Sequence, residues 1–140
     1  MTRENWLTHL AKVPMFSRCS KKELQEIAGA TTPVTLPPGR VLVREGDPGS
    51  EAYVITAGTA FVERNGERLA MLGPGDVIGE MSLLIPGPRT ATVTADTELQ
   101  VLVMDRREFG QLVEDIPGFT IQLLHNLAER MSRLDQHAFG

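Results

Sequence analysis

The residues best suited to chemistry lie in one stretch, Gly79-Glu80-Met81-Ser82-Leu83-Leu84-Ile85-Pro86-Gly87-Pro88-Arg89-Thr90-Ala91. Its apolar residues do not alternate, so it does not read as a strand. Glu80 and Arg89 are the only charged residues between Asp76 and Asp96, and Arg89 is the only cation between Arg68 and Arg106. An isolated guanidinium in apolar surroundings requires a counter-anion, because burying it unpaired is costly. Two sources satisfy the sequence. Glu80 can supply the anion internally as a salt bridge, or a ligand can supply it from outside. The neighbours suit the second source. Met81–Ile85 is long enough for one helical turn stopped by Pro86, and its first amides would point outward at the positive end of the dipole. Gly79 has no Cβ and lets a ligand approach the backbone. Glu80, an acceptor only when ionised, suits hydroxyl groups. An arginine, a helix N-terminus and a carboxylate together match a phosphate carried on a hydroxylated sugar.

The elements around this stretch fall into three zones. Nine of the 13 glycines lie between Gly39 and Gly87, while the long apolar-periodic segments lie outside that window. From Pro33 to Asp105 the apolar period is two. The spacing predicts strands over Val34–Leu36, Arg40–Arg44, Ala52–Thr56, Thr59–Arg64, Glu67–Leu72, Ala91–Ala95 and Leu99–Met104. Asn65-Gly66 between two such runs reads as a type I′ hairpin turn, which needs positive φ at both central residues. Seven or eight short strands at this spacing indicate an all-β roll, barrel or sandwich.

Helical period holds on both flanks. Trp6, Leu7 and Leu10 repeat at helical spacing near the N-terminus. Ser20 and Glu23 form a capping box before Leu24, Ile27 and Ala28, with Gly29 placed to close that helix in the left-handed conformation. Asp105 and Glu108 repeat the capping pattern before Phe109, Leu112 and Val113, and Pro117-Gly118 interrupts the chain. A last helix carries Leu124, Leu127, Met131 and Leu134 at spacings of three and four. That stripe reads as a face lying on the roll, or as a short coiled-coil seam in a dimer, or as a movable lid.

At these residues the chain resembles the cyclic nucleotide-binding domain family. The family's phosphate-binding cassette reads Phe-Gly-Glu-Leu-Ala-Leu followed at fixed distance by Pro-Arg-Thr/Ala-Ala. Here Ile78-Gly79-Glu80-Met81-Ser82-Leu83 precedes Pro88-Arg89-Thr90-Ala91 at the same Glu-to-Arg spacing. Pro38-Gly39, Glu45-Gly46-Asp47-Pro48-Gly49, Tyr53-Val54-Ile55 with Gly58, and Leu72-Gly73-Pro74-Gly75-Asp76 resemble the family's upstream turns. The likeness covers essentially the whole chain.

It implies a mainly β fold with flanking α: an eight-stranded jelly-roll-like β-roll, with an N-terminal helical segment and two C-terminal helices. It divides the one domain into an N-terminal flank (1–32), the roll (33–105) and C-terminal lid and signalling helices (106–140). It implies a non-catalytic sensor or regulatory domain that binds cAMP, in preference to cGMP, and relays binding through its C-terminal helices to a protein effector. Arg89 would pair with the cyclic phosphate, and the backbone of Ser82 and Ala91 would donate to phosphate oxygens. Glu80 and the Gly79 amide would hold the ribose 2′-hydroxyl, Met81 would contact sugar and base, and Thr90 would bear on base choice. Arg130 or Met131 would cover the base. Ile78 stands where the family has Phe, which alters packing beneath the cassette but removes no polar contact. A second implied reading is the ligand-binding part of a cAMP-responsive transcription regulator, with its DNA-binding domain absent.

Other classes fit less well. A cupin metal site needs several histidines facing the barrel interior, but His9, His125 and His137 all fall in the helical flanks. No G-x-S-x-G elbow, Walker loop or Cys/His pair occurs, so neither catalysis nor a metal or other cofactor is expected. A net charge of -4 and the lack of a basic recognition helix argue against nucleic-acid binding by this chain. No run approaches the ~20 apolar residues of a membrane span. The single cysteine, Cys19, fits a reducing compartment, and the expected location is cytoplasmic. A homodimer through the C-terminal helix is one assembly that the stripe allows, the oligomeric state staying open, and a ligand-free scaffold is the competing interaction-protein reading.

Overall fold

Ser20 Oγ accepts from the Glu23 amide at 3.1 Å and Glu23 Oε1 accepts from the Ser20 amide at 2.8 Å. This capping box starts α1, Lys21–Ala30, in the computed structural model of the chain. The structure describes residues 7, 8, 10–13, 16–80, 83 and 87–139, with the side chains of 130 and 133–139 outside that description. Gly29 does not end α1. The helix runs on to Ala30 and is capped by Thr31 in extended conformation, whose hydroxyl donates to the Ile27 carbonyl at 2.7 Å. A threonine that satisfies an orphan carbonyl removes the need for a left-handed glycine.

Eight strands follow: β1 (Thr32–Leu36), β2 (Val41–Val43), β3 (Glu51–Ala57), β4 (Ala60–Arg64), β5 (Glu67–Leu72), β6 (Val77–Ile78), β7 (Thr92–Ala95) and β8 (Leu99–Asp105). They form two four-stranded antiparallel sheets, ordered β1-β8-β3-β6 and β2-β7-β4-β5. β1 begins before the expected Val34 and includes Pro33. It is an edge strand, where a missing amide can face away from the ladder. β6 is absent from the sequence expectation because two residues cannot display a period. The Asn65-Gly66 turn has φ of 53° and 79°, as a type I′ hairpin requires.

Alternation along β3 divides the core in two. Ala52 and Val54 join a cluster with Leu10, Phe16, Ile27, Leu102, Met104 and Phe119, which binds the helices to the first sheet. Ile55 faces the other way, into a cluster with Val43, Ala60, Ile78, Val93 and Val101 drawn from both sheets. Tyr53 packs against that inner cluster.

Behind β8, Asp105 and Glu108 form the second capping box, with bonds of 2.8 and 2.9 Å, and open α2, Arg106–Asp115. Pro117 then begins α3, Pro117–Phe139, a favourable place for a residue without an amide proton. Phe119 anchors α3. It stacks on Phe16 at 6.3 Å and meets Phe109 edge-on at 6.2 Å.

The buried face of α3 is not the expected stripe. Phe119 and Leu123 are buried and Leu127 is partly buried, at spacings of four. Leu124 and Met131 are 61% and 65% exposed, and Ile121 is exposed beside them. Spacing alone allowed either face, and the Phe119 ring stack selects this one. Trp6 and the Leu134 side chain lie outside the described residues. No described helix is long and apolar enough to cross a membrane.

Candidate functional site

The cassette crosses from β6 in one sheet to β7 in the other, so its two limbs stand on different layers of the roll. On the first limb, Glu80 and Leu83 are helical and buried, at 1% and 8% exposure. Met81 and Ser82, both expected at the site, lie outside the described residues. On the second limb, Arg89 is buried, Thr90 is exposed and Ala91 is half-buried.

Arg89 is held by the main chain. Its Nη1 donates to the Gly79 carbonyl at 3.0 Å and its Nη2 to the Glu51 carbonyl at 2.6 Å. Its own amide donates to Asp47 at 2.8 Å, and its carbonyl accepts from the Gly46 amide at 2.8 Å. Pro48 and Pro88 form a β-bridge alongside. The turn at 45–49 therefore docks the second limb and points the guanidinium back at the first. Both of its described acceptors are neutral carbonyls, which orient the cation without cancelling its charge. At 8% exposure that charge is shielded from water and strongly favours a nearby anion.

Gly79 also makes room for a side chain of the protein. Its φ is +84°, and a Cβ there would overlap Nη1 of Arg89 and lie 3.1 Å from the Glu51 carbonyl oxygen. The space is therefore needed first by the arginine, and the Gly79 carbonyl is one of that arginine's anchors. Glu80 lies beside it in sequence, and its Oε2 is buried without a hydrogen bond although the residue makes other interactions.

Tyr53 and Glu51 belong to this neighbourhood and were not singled out as site residues. Burial, then the Glu51 carboxylate, raises the Tyr53 hydroxyl above its ordinary pKa, while Arg89 opposes the rise. Period two along β3 was the available signal, since it sets Glu51, Tyr53 and Ile55 on one face.

Thr90 is fastened through its carbonyl, which accepts from Arg64 Nε at 2.9 Å. The residues expected over the base are less defined. Met131 is exposed and the Arg130 side chain lies outside the described residues. Near them, Asn126 Nδ2 donates to the Gly75 carbonyl at 3.4 Å, tying α3 to the turn between β5 and β6.

A groove of about 940 Å³ lies elsewhere, between α1 and α2. Glu26, Asp105, Glu108, Glu114 and Asp115 line it against Arg107 alone, which makes it unfavourable for an anion. Cys19 is half-buried, and burial followed by the Glu23 charge raises its pKa to about 11. It is a protonated thiol at neutral pH, unsuited to nucleophilic chemistry. Among the described residues no group of His, Cys, Asp and Glu is arranged to hold a metal ion.

Known proteins resemble this chain in sequence and in fold. A family model described as the cyclic nucleotide-binding domain matches residues 33–115. A CRP-like cAMP-activated global transcriptional regulator of Mycobacterium tuberculosis is 32% identical over 133 residues, covering 91% of this chain and 59% of the relative. A cAMP-dependent protein kinase regulatory subunit of Schizosaccharomyces pombe is 36% identical over 118 residues, covering 84% of this chain and 28% of the relative. The Thermus thermophilus catabolite activator protein superposes with a TM-score of 0.79 at 28% identity, covering 89% of this chain and 61% of that one. The chain thus spans less than two thirds of each of these proteins.

Proposed function

Because this chain belongs to the cyclic nucleotide-binding domain family, we propose that its cassette binds a cyclic nucleotide, cAMP in preference to cGMP. The observation that carries this reading is the buried Arg89, fixed by two carbonyls inside the segment that the family model matches. Two of the relatives are named for cAMP, which favours the adenine nucleotide.

In this reading the Arg89 guanidinium pairs with the cyclic phosphate, and the amides of Ser82 and Ala91 donate to its oxygens. Glu80 and the Gly79 amide hold the ribose 2′-hydroxyl. The Gly79 amide is compatible with that role because only its carbonyl is committed to Arg89. Met81 contacts sugar and base, Thr90 influences base choice, and Arg130 and Met131 approach the base from α3. The domain is non-catalytic and cytoplasmic, and it passes its signal to a protein effector. Relay through α2 and α3 requires that ligand bind one arrangement of these helices more tightly than another. The exposed Ile121, Leu124 and Met131 stripe supports a homodimer through α3.

Calorimetric titration with cAMP and cGMP tests the proposal. The expected result is saturable heat with cAMP at micromolar concentration and weaker binding of cGMP. No heat with either nucleotide at high micromolar concentration would overturn it.

A further inference from the structure

We infer that Arg64, on the β4–β5 hairpin, is a positioning residue that aims the Ala91 amide at the ligand. The inference rests on the cyclic-nucleotide site proposed above. The main-chain ladder between β4 and β7 ends at the pair Glu63 and Thr92. One residue further on, the Arg64 side chain takes the place of the ladder, its Nε donating to the Thr90 carbonyl at 2.9 Å.

A peptide unit is planar, so the Thr90 carbonyl and the Ala91 N–H move as one rigid group and point in opposite directions when trans. The chain contains no cis peptide bond among the described residues. Holding the carbonyl toward Arg64 therefore turns the Ala91 amide to the opposite side. That amide is one of the proposed phosphate donors.

The hairpin is built to present Arg64 at a fixed place. The type I′ turn at Asn65 and Gly66 sets the Arg64–Glu67 register. The Asn65 amide donates to Glu45 Oε1 at 3.1 Å, and the Glu45 amide donates to Thr92 Oγ1 at 3.0 Å. The hairpin tip is thus tied to β7 on the far side of Thr90 as well. Arg64 itself is exposed, so the core does not require its bulk.

Two substitutions separate the hydrogen bond from the charge. Glutamine carries an N–H donor at the same number of bonds from Cα as Arg Nε, without the charge, and methionine keeps the stem without a donor. Arg64→Met is expected to weaken cAMP and cGMP alike, by about 3- to 10-fold, the usual worth of one hydrogen bond. Arg64→Gln is expected to bind both within about twofold of the unsubstituted chain. The Ala91 amide proton resonance should shift on cAMP addition in the unsubstituted and Gln proteins and shift less in the Met protein. Equal melting temperatures without ligand would confirm that both variants are folded.

Binding by the Met variant within twofold of the unsubstituted chain overturns the inference alone, as does a Gln variant that loses as much as Met. Failure of the unsubstituted chain to bind either nucleotide overturns the underlying site assignment and takes this inference with it.

Discussion

Residues 88–92 and the exposed part of α3 are the two regions expected to close on a nucleotide, and they are attached to the roll in contrasting ways. In the first, Pro88 is bridged to Pro48, Arg89 is held at its amide, carbonyl and guanidinium, and the Thr90 carbonyl and Thr92 hydroxyl each have a partner. In the second, Ile121, Leu124 and Met131 face outward, and the side-chain bond described back to the roll is Asn126 to Gly75, at 3.4 Å. A fixed binding limb lowers the ordering cost of capturing a ligand. A lightly tied helix has a small gap between its positions, so a modest difference in ligand affinity can shift it. The contrast suits a domain in which one region captures and another reports.

The anchor of α3 gives the largest expected effect. Phe119→Ala removes a buried ring packed on Phe16 and Phe109, and chemical denaturation should show a loss of about 3–5 kcal/mol. A loss below about 1 kcal/mol would mean that α3 is loosely attached along its whole length, which would erase the distinction between its two ends.

Gly79→Ala attacks the fixed region. Alanine must hold a φ near +84° while its methyl displaces the Arg89 guanidinium. The expected cost is about 1–3 kcal/mol in stability, together with at least a tenfold loss of cAMP affinity. Normal affinity in this variant would show that the guanidinium need not stay where Gly79 and Glu51 hold it.

The smallest effect belongs to the lightly tied part of α3. Asn126→Ala breaks a long, partly exposed hydrogen bond, and the stability change should be about 0.5–1 kcal/mol. A spin label or fluorophore on α3 should nevertheless show a changed distribution of helix positions without ligand. An unchanged distribution would remove Asn126 from the relay.

The sequence made legible what is encoded locally. Ser20 with Glu23, Asp105 with Glu108, and Asn65-Gly66 each specify a short structure from adjacent residues, and each forms as expected. The isolation of Arg89 could be read from charge spacing, and its burial follows. Its anchors could not be read. Glu51 is 38 residues away and acts through a backbone carbonyl, which any residue type would supply. The same limit explains Gly79, whose empty space is filled by an arginine ten residues on. β6 was too short to show a period. The outward face of α3 depended on which side Phe119 found a ring to stack on, a tertiary choice that helical spacing leaves open.

The central claim is that Arg89 is a binding charge held in place by the fold. Thermal unfolding of the unsubstituted and Arg89→Ala proteins, each with and without saturating cAMP, tests it most directly. At about 100 times its dissociation constant, a ligand adds about 2.7 kcal/mol to the folded state. The unsubstituted protein should therefore melt roughly 5–10 °C higher with cAMP. Arg89→Ala should melt lower without ligand because two carbonyls lose their donor, and its affinity should fall by about 30-fold or more, so the same cAMP concentration should raise its melting temperature far less. An unsubstituted protein that cAMP does not stabilise, or an alanine variant stabilised equally, would contradict the account.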